Sequence, residues 1–392
     1  MSASVLSAKS STGLLPDSLV QWTRESAEQF LNELVFPKMT DEAWRKFPLG
    51  QLDLATLNKN PFQLEVVEIS KETNPSDLRI GTAKSILASI LNSAKDNYFA
   101  LYTLKQTHQI YFYELGEDGT EREFYDFQCK LRDNQNGNIV ILVSVAANTK
   151  AKFRESYHSI SQTDQLHILH SLSCYHLKEG SSLDILVEEE YDENLFHFRF
   201  IYSFQEKESN LNIHSFPRGG YRGKQFYLPE LNGMGSTYKL MGVSSLVNRE
   251  LLDIDAKVTH LADHTTSKIS YKAIVNDRSH HIFTGNLAIP SNVKKVSAHQ
   301  ESHNLSLNKK ARAEANPKLE VMAEDVSCTH GATVGDIDEE QLFYLLSRGL
   351  TPSEAKSLLV AAFYEETVSK IPFPETVKLN ISNNIRKSVL GS

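Results

Sequence analysis

Between about residue 60 and about residue 320 the sequence consists of short apolar stretches, rich in β-branched and aromatic residues, that follow one another without intervening helical patterns. The stretches are NYFALYTL, QIYFYEL, NIVILVSV, LDILVEEEY, LFHFRFIYSF, LLDIDAKVTHL, KISYKAIV and HIFTGNLAIP. Turn residues such as NQNGN, RGGYRG and LNGMG interrupt them. One segment, 82–94, is periodic enough to be an inserted helix. So many strands without helices exclude a doubly wound fold and leave a sandwich, a barrel or a β-helix.

The length of this block favours the β-helix. About 250 residues of strands are long for one sandwich, whereas each coil of a solenoid needs only its neighbours. The sequence contains no strict repeat, so the sandwich and the barrel stay open as alternatives.

Helical patterns flank the β block on both sides. The patterns predict a flexible tail over 1–16, an N-terminal helical region over 17–58, a β core over 59–335 and a C-terminal helical region over 336–392. The segment 82–94 would then be an insertion into the core.

The C-terminal region carries strong helix signals. Asp338 is a predicted N-cap and Gly349 follows the end of the same helix. A second helix begins at Thr351, with Pro352 in its first turn, and a third begins at Pro374. An apolar stripe is predicted on the second helix, at Ala355, Leu358, Leu359, Ala362 and Phe363. The stripe could pack on the β block or face a partner protein.

Charge and composition exclude several classes of protein. The net charge of −8 argues against a chain built to neutralise nucleic-acid phosphates, and short pairs such as Lys309–Lys310 are interpreted as solvated surface. No apolar run approaches the roughly 20 residues that span a bilayer. Three scattered cysteines, with no Cys-x-x-Cys, fit a reducing compartment rather than a disulfide framework. The first residues lack the apolar core of a secretory signal.

Catalytic motifs are missing from the sequence. RGGYRGKQ (218–225) lacks the glycine and the Ser or Thr that a P-loop requires, so any ATP hydrolysis would belong to another chain. The sequence has no Gly-x-Ser-x-Gly and no His-Glu-x-x-His. The acidic run VEEEY (187–191) alternates faces on a strand and cannot present its three carboxylates together. A β-helix enzyme acting on carbohydrate is therefore an unfavoured alternative.

The strongest candidate for a chemical site is the segment EDVSCTHGATVGD (324–336). If it is extended, Val326, Cys328 and His330 share one face, and a thiol and an imidazole are both ligands that iron accepts in iron–sulfur sites. Two ligands make about half of a cluster site, so the remainder would come from elsewhere. The alternative is a buried Cys and a hydrogen-bonded His of purely structural role. Gly331 and Gly335 are interpreted as the exit from the strands, where a Cβ would not fit.

The continuous stretch Leu319–Phe363 closely resembles the C-terminal signature of the SufB/SufD family, the scaffold subunits of the Suf iron–sulfur cluster assembly system. The likeness continues upstream through HHIFTGNLAIP and HQESHNLSLNKKARAEANPKLE and fades in the N-terminal half. Because the chain is compact and its other cysteines, Cys129 and Cys174, lie in no recognisable motif, it resembles the SufD type. The resemblance implies a mainly β fold, a flattened right-handed parallel β-helix between N-terminal and C-terminal helical regions.

The resemblance also implies partners and site residues. Carried over by position, His330 is the candidate ligand of a nascent iron–sulfur cluster and Cys328 an interface thiol, at the contact with a SufB-like sister subunit. The cluster would be transient and shared, and this chain alone would hold no permanent cofactor. The C-terminal helices would dock on a SufC-like ABC ATPase, with the candidate contact residues Asp338, Leu342, Phe343, Arg348, Leu358 and Phe363.

Further expectations follow from the resemblance. The chain would be a non-enzymatic scaffold in the cytoplasm, with an organelle stroma as the alternative, and would bind neither nucleic acid nor membrane. A SufB-like role, or a self-pairing homodimer in which two copies meet edge to edge, remains open.

Overall fold

The computed structural model describes residues 11–51, 65–69, 80–116, 124–131, 136–160 and 164–390. Its strands form two nine-stranded sheets. The first sheet contains, in spatial order, β1 (Ser11–Leu14), β3 (Ile110–Leu115), β5 (Gly137–Val145), β7 (His167–Leu177), β9 (Leu195–Gln205), β11 (Arg222–Leu231), β13 (Leu251–His260), β15 (His280–Ile289) and β17 (Arg312–Val321). The second contains β2 (Glu65–Ile69), β4 (Tyr125–Leu131), β6 (Lys150–Ser159), β8 (Ser182–Tyr191), β10 (Asn210–Gly219), β12 (Thr237–Leu246), β14 (Thr266–Val275), β16 (Val296–Ser306) and β18 (Val326–Asp336).

Strands that follow each other in sequence alternate between the two sheets, and from β3 and β4 onward neighbours within each sheet are parallel. Each pair of strands is therefore one coil of a flattened parallel solenoid. The predicted β-helix with helical ends is confirmed, and the sandwich and the barrel are excluded.

The two ends of the solenoid differ. At the N-terminal end β1 pairs antiparallel with β3, and β2 pairs antiparallel with β4, so an extra strand covers each sheet edge. At the C-terminal end β17 pairs only with β15 and β18 only with β16 among the described residues. Part of the predicted tail, 1–10, lies outside the described residues, whereas Ser11–Leu14 form β1.

One apolar core lies between the sheets, and two further cores lie on their outer faces. Inward-pointing residues such as Ile141, Leu183 and Leu240 form the central core. Helices α1 (Asp17–Leu31), α2 (Ile80–Ser93) and α3 (Tyr98–Gln106) cover the first sheet, where Phe99 stacks on Phe198 at 4.5 Å. Helices α5 (Pro352–Ser369) and α6 (Glu375–Leu390) cover the second sheet. Helix α4 (Glu339–Ser347) has no buried residue.

Helix α2 confirms the inserted helix predicted at 82–94, but the strand predicted at NYFALYTL is wrong. This segment is helix α3, capped by the Asn97 side chain, which accepts from the Ala100 amide at 3.2 Å. Every residue from Phe99 to Leu104 is buried. A helix buried on all sides has no polar face, so its apolar run gives no helical period and resembles a buried strand.

The C-terminal helices begin where the sequence predicts. The Asp338 side chain accepts from the amides of Glu340 and Gln341 at the start of α4, and Gly349 takes a φ of +93° after its end. Thr351 and Glu354 form a reciprocal capping box on α5. The buried face of α5 differs from the predicted stripe, because it consists of Ala355, Val360, Tyr364, Thr367 and Val368. Leu358 is 51% exposed.

Among the described residues, no helix combines the length and the apolar character needed to cross a membrane.

Candidate functional site

Cys328 and His330 lie on β18, the last strand of the second sheet. In register, Cys328 lies opposite Ala298 and His330 opposite Gln300, both of which are buried residues of β16. Val326 and Cys328 pack against the core between the sheets. Because side chains alternate along a strand, His330 belongs to the same face about 7 Å further along. The pair thus lies along the mouth of the solenoid.

The two side chains differ in exposure. Cys328 is partly buried, which raises the pKa of its thiol, and His330 is exposed. No side-chain hydrogen bond or ion pair links His330 to the residues that the structure describes. The other thiols are inaccessible, since Cys129 is 1% and Cys174 is 0% exposed, and burial raises the pKa of Cys129 to about 12. Cys328 is therefore the thiol that a ligand could reach.

The opposite face of β18 is tied to β16 by hydrogen bonds. His299 Nδ1 lies 2.6 Å from Thr329 Oγ1, and His303 Nδ1 lies 2.8 Å from Thr333 Oγ1. Glu301 lies between the two imidazoles, 3.5 Å from His299 and 3.7 Å from His303. These contacts fix the end strand on its outer face. These contacts were not predicted from the sequence, although the spacing of His299, Glu301 and His303 puts the three side chains on a shared face.

The outer edge of β18 is unprotected. Most of its eleven residues are exposed, and it carries neither a proline nor a lysine to discourage pairing, whereas β17 carries Pro317. The interpretation of Gly331 and Gly335 is wrong: both lie inside β18, and a Cβ on either would meet no atom within 4 Å. Both share the outer face of β18 with Thr329 and Thr333, and nothing covers that face at these two positions among the described residues.

The donor set is incomplete among the residues that the structure describes. No group of three or more His, Cys, Asp or Glu side chains that could hold a metal occurs in the described ranges. Cys328 and His330 could supply one thiolate and one imidazole, and a cluster usually needs about four ligands. A cluster at this mouth would need donors from outside the described residues.

The candidate docking residues lie on helices α4 and α5 or at the caps of α4. Phe343 is 72% exposed, and Leu342 is partly buried. Arg348 lies over the ring of Tyr344, 5.2 Å from its centroid. Phe363 contacts the solenoid instead, because its carbonyl accepts from Lys272 at 2.7 Å and the same ammonium lies over its ring. The Asp338 carboxylate accepts the capping hydrogen bonds at the start of α4.

The three carboxylates of VEEEY point to different faces of β8, as the alternation of side chains along a strand requires. Glu189 points between the sheets toward Arg199, whereas Glu188 and Glu190 lie on the outer face and pair with Arg154 and Arg218. Each carboxylate thus has a cation, and the three do not line a common groove.

The fold and the site together define a class: a parallel β-solenoid with helical ends that leaves one end open and presents a thiol and an imidazole there. A family model described as "SUF system FeS cluster assembly, SufBD core domain" matches residues 132–363, more than half of the chain. The chain belongs to this SufBD family, and its similarity to proteins named SufD makes it SufD-like.

Three relatives illustrate the similarity. The iron-sulfur cluster assembly protein SufD of Escherichia coli (strain K12) is 35% identical over 39% of this chain and 36% of its own length. An iron-sulfur cluster assembly SufBD family protein of Synechocystis sp. is 26% identical over 59% of this chain and 52% of its own. Protein ABCI7, chloroplastic, of Arabidopsis thaliana is 30% identical over 45% and 37%. The matches span between about a third and about half of the relatives' lengths.

Proposed function

We propose that this chain is a non-catalytic, SufD-like scaffold subunit for iron–sulfur cluster assembly. Its open β18 edge pairs with a SufB-like sister subunit, and Cys328 and His330 supply part of the ligand set of a nascent cluster held between the two chains. The cluster is cargo that is built and passed on, so neither chain keeps it. The relatives fit a cytoplasmic location or, as in the chloroplastic protein, an organelle stroma.

The observation that carries the proposal is the coincidence of an open sheet edge with an incomplete donor pair. An edge strand offers a row of unpaired backbone groups to another chain. Cys328 and His330 lie on that strand, facing the mouth between the sheets. A partner strand beside β18 would bring its own side chains to the same mouth.

The ATPase docking proposal rests on the exposed apolar surface of α4 and α5, defined by Phe343, Tyr344, Leu346 and Leu358. These side chains are between 37% and 72% exposed. Several large apolar side chains exposed on two neighbouring helices are typical of a site for a protein partner. Helix α4 follows β18 directly, so movement of an ATPase bound to α4 would act on the strand that carries His330. ATP hydrolysis itself would belong to a SufC-like partner.

The experiment that tests the cluster role uses the reconstituted complex of this chain with SufB-like and SufC-like partners. His330→Ala and Cys328→Ser should each lower the iron and sulfide bound per complex, while the complex still assembles. His264→Asn, at an exposed turn, is the matched control. Cluster formation at the normal rate in His330→Ala would refute the ligand role.

The docking role has a separate test. Phe343→Asp and Leu358→Asp place charges on exposed positions, so the isolated chain should stay folded while capture of the SufC-like ATPase falls. Leu319→Asp, an exposed position on β17, controls for the added charge. Undiminished capture by both docking variants would refute the docking surface.

A self-pairing scaffold is the second candidate, because β17 and β18 both end sheets in the described structure. Two copies could meet edge to edge across a two-fold axis. A mass measurement of the isolated chain, repeated after addition of the SufB-like subunit, separates the candidates. A sister subunit that uses the same edge should dissociate the homodimer.

A further inference from the structure

The solenoid turns that lead from the second sheet to the first carry a row of cations. The basic ridge is defined here as Arg222, Arg249, Arg278, Lys309, Lys310 and Arg312. The sequence spreads these residues over about ninety positions, but the solenoid brings them to consecutive coils. They line one open cleft of about 540 Å³. Backbone bonds hold the coils in register, since Arg278 N donates to Asn248 O at 2.9 Å and Arg312 N to Ser279 O at 2.9 Å.

None of these cations forms an ion pair with a carboxylate of the described residues. The Arg222 guanidinium donates only to the carbonyl oxygens of Tyr221 and Arg249, and its Nε is buried without a partner. Arg249, Arg278, Lys309, Lys310 and Arg312 are exposed. In a chain with a net charge of −8, the concentration of unpaired cations on one edge is unexpected.

The opposite turns of the solenoid neutralise their cations. Lys207 lies 2.9 Å from Glu179 on the adjacent coil, and Lys295 lies 2.9 Å from Asp325 on the next. The same architecture thus pairs opposite charges between coils on that side of the solenoid. The basic ridge instead stacks like charges about 4.8 Å apart, which is unfavourable unless an anionic partner compensates them.

Three acids near the ridge already have partners. The Glu250 carboxylate is 7% exposed and accepts from the Val247 amide at 2.8 Å. Asp277 accepts from the Asn248 amide at 3.0 Å. Glu314 pairs with His280 at 2.8 Å and with Lys46. The exposed cations therefore remain available to a ligand.

We propose that the basic ridge binds an acidic helix of a partner protein. A helix rises about 5.4 Å per turn, so carboxylates one turn apart follow the coil spacing of about 4.8 Å closely. Over three coils the two spacings diverge by less than about 2 Å, which long Arg and Lys side chains absorb. The three exposed arginines, Arg249, Arg278 and Arg312, suit carboxylates, because each guanidinium can bind one through two parallel hydrogen bonds.

Other anions fit the ridge less well. A small anion such as phosphate would engage two or three cations and leave the rest uncompensated. A nucleic acid would be repelled by the net negative charge of the remaining surface. The proposal concerns the turns of the solenoid and is independent of the role given to Cys328 and His330.

The test uses the full chain and a labelled helical peptide with Glu at positions i, i+4, i+7 and i+11. A peptide of the same composition with scrambled Glu positions controls for bulk charge. The triple variant Arg249→Glu/Arg278→Glu/Lys309→Glu is compared with Lys207→Glu/Lys257→Glu/Lys295→Glu, which changes the net charge equally at exposed lysines away from the ridge. Fluorescence anisotropy reports binding at low and at physiological salt.

The patterned peptide should bind wild type, and the ridge variant should bind it roughly ten-fold or more weakly, whereas the control variant retains affinity. Binding should weaken with salt. Equal affinity for patterned and scrambled peptides, equal losses in the two triple variants, or absence of peptide binding would overturn the proposal. So would preferential binding of tripolyphosphate or duplex DNA in a competition arm.

Discussion

Arg199 and Glu155 form an ion pair of 2.6 Å between the two sheets, and neither side chain is exposed to solvent. Glu155 also accepts from the hydroxyls of Tyr157, Ser173 and Tyr175 at 2.6 to 2.9 Å, and Arg199 stacks on the Tyr157 ring. A second carboxylate, Glu189, lies 3.4 Å from Arg199 Nε. Burial raises the pKa of Glu189 to about 7. The solenoid therefore contains a charged network in the middle of its core.

Arg199→Met should destabilise the chain by about 3–5 kcal/mol, because it leaves two carboxylates buried without their cation. The double variant Arg199→Met/Glu155→Leu should lose less than the sum of the single variants, since it removes one stranded charge. Urea unfolding measures both. Lys207→Met breaks an exposed pair and should cost at most about 1 kcal/mol. An equally small loss in Arg199→Met would contradict the network's importance.

The pH dependence of stability should reflect the buried His170. Burial lowers the pKa of His170 to about 3, against about 6.5 in the unfolded chain. Between these values the unfolded chain binds a proton that the folded chain does not. The contribution of neutral His170 to the free energy of unfolding is therefore fully present above about pH 6.5. It is lost as the pH falls below that value, at about 1.4 kcal/mol per pH unit.

Between pH 4 and pH 6.5, the free energy of unfolding of His170→Leu should fall less steeply with decreasing pH than that of wild type, by about 1.4 kcal/mol per pH unit. Urea unfolding measures both. Ile168→Val is the matched control, because Ile168 is buried on the same face of β7 and does not titrate. It should lower stability by about 0.5–1.5 kcal/mol at every pH. An unchanged slope in His170→Leu would show that the imidazole is not buried in its neutral form.

Two glycines should respond to substitution in different ways. A Cβ on Gly242 would lie 2.6 Å from the Ser215 carbonyl oxygen and 2.5 Å from Tyr271, so Gly242→Ala should cost about 1–3 kcal/mol. Gly331→Ala meets open space, because no atom lies within 4 Å of its added Cβ, and should leave the chain as stable as wild type. Thermal unfolding measures both variants. A loss in Gly331→Ala as large as that in Gly242→Ala would mean that the outer face of β18 is packed against other atoms.

The architecture was predictable where local signals agreed with the fold. Strands β5, β9 and β13 carry continuous apolar or alternating patterns, and the capping box at Thr351 marks the start of α5. Strand β16 gave no such signal, because its inward residues Gln300, Ser302 and Asn304 are polar yet buried. The strand prediction for α3 was wrong for a different reason. The helix is buried on all sides, so its sequence shows no polar face.

The candidate site was only partly predictable. The alternation of a strand puts Cys328 and His330 on one face, and this follows from sequence spacing. The open edge depends on which strand ends the sheet, a property of the whole topology. The Glu155–Arg199 pair is likewise set by coil packing, because 44 positions separate the two residues. The basic ridge arises in the same way from distant turns.

Thiol reactivity should single out Cys328 among the three cysteines. Cys129 and Cys174 are closed off in the core, whereas Cys328 lies at the open end, and partial burial raises its pKa. Under native conditions one thiol per chain should react with a maleimide, more slowly than a free cysteine because less thiolate is present at neutral pH. All three should react in urea. Cys328→Ser should abolish the native reaction, and Cys174→Ser should leave it unchanged.

Addition of the SufB-like subunit should protect the thiol, because a strand beside β18 would cover the mouth of the solenoid. Full reactivity in the assembled complex would mean that the sister subunit binds elsewhere and that Cys328 does not lie at the shared interface.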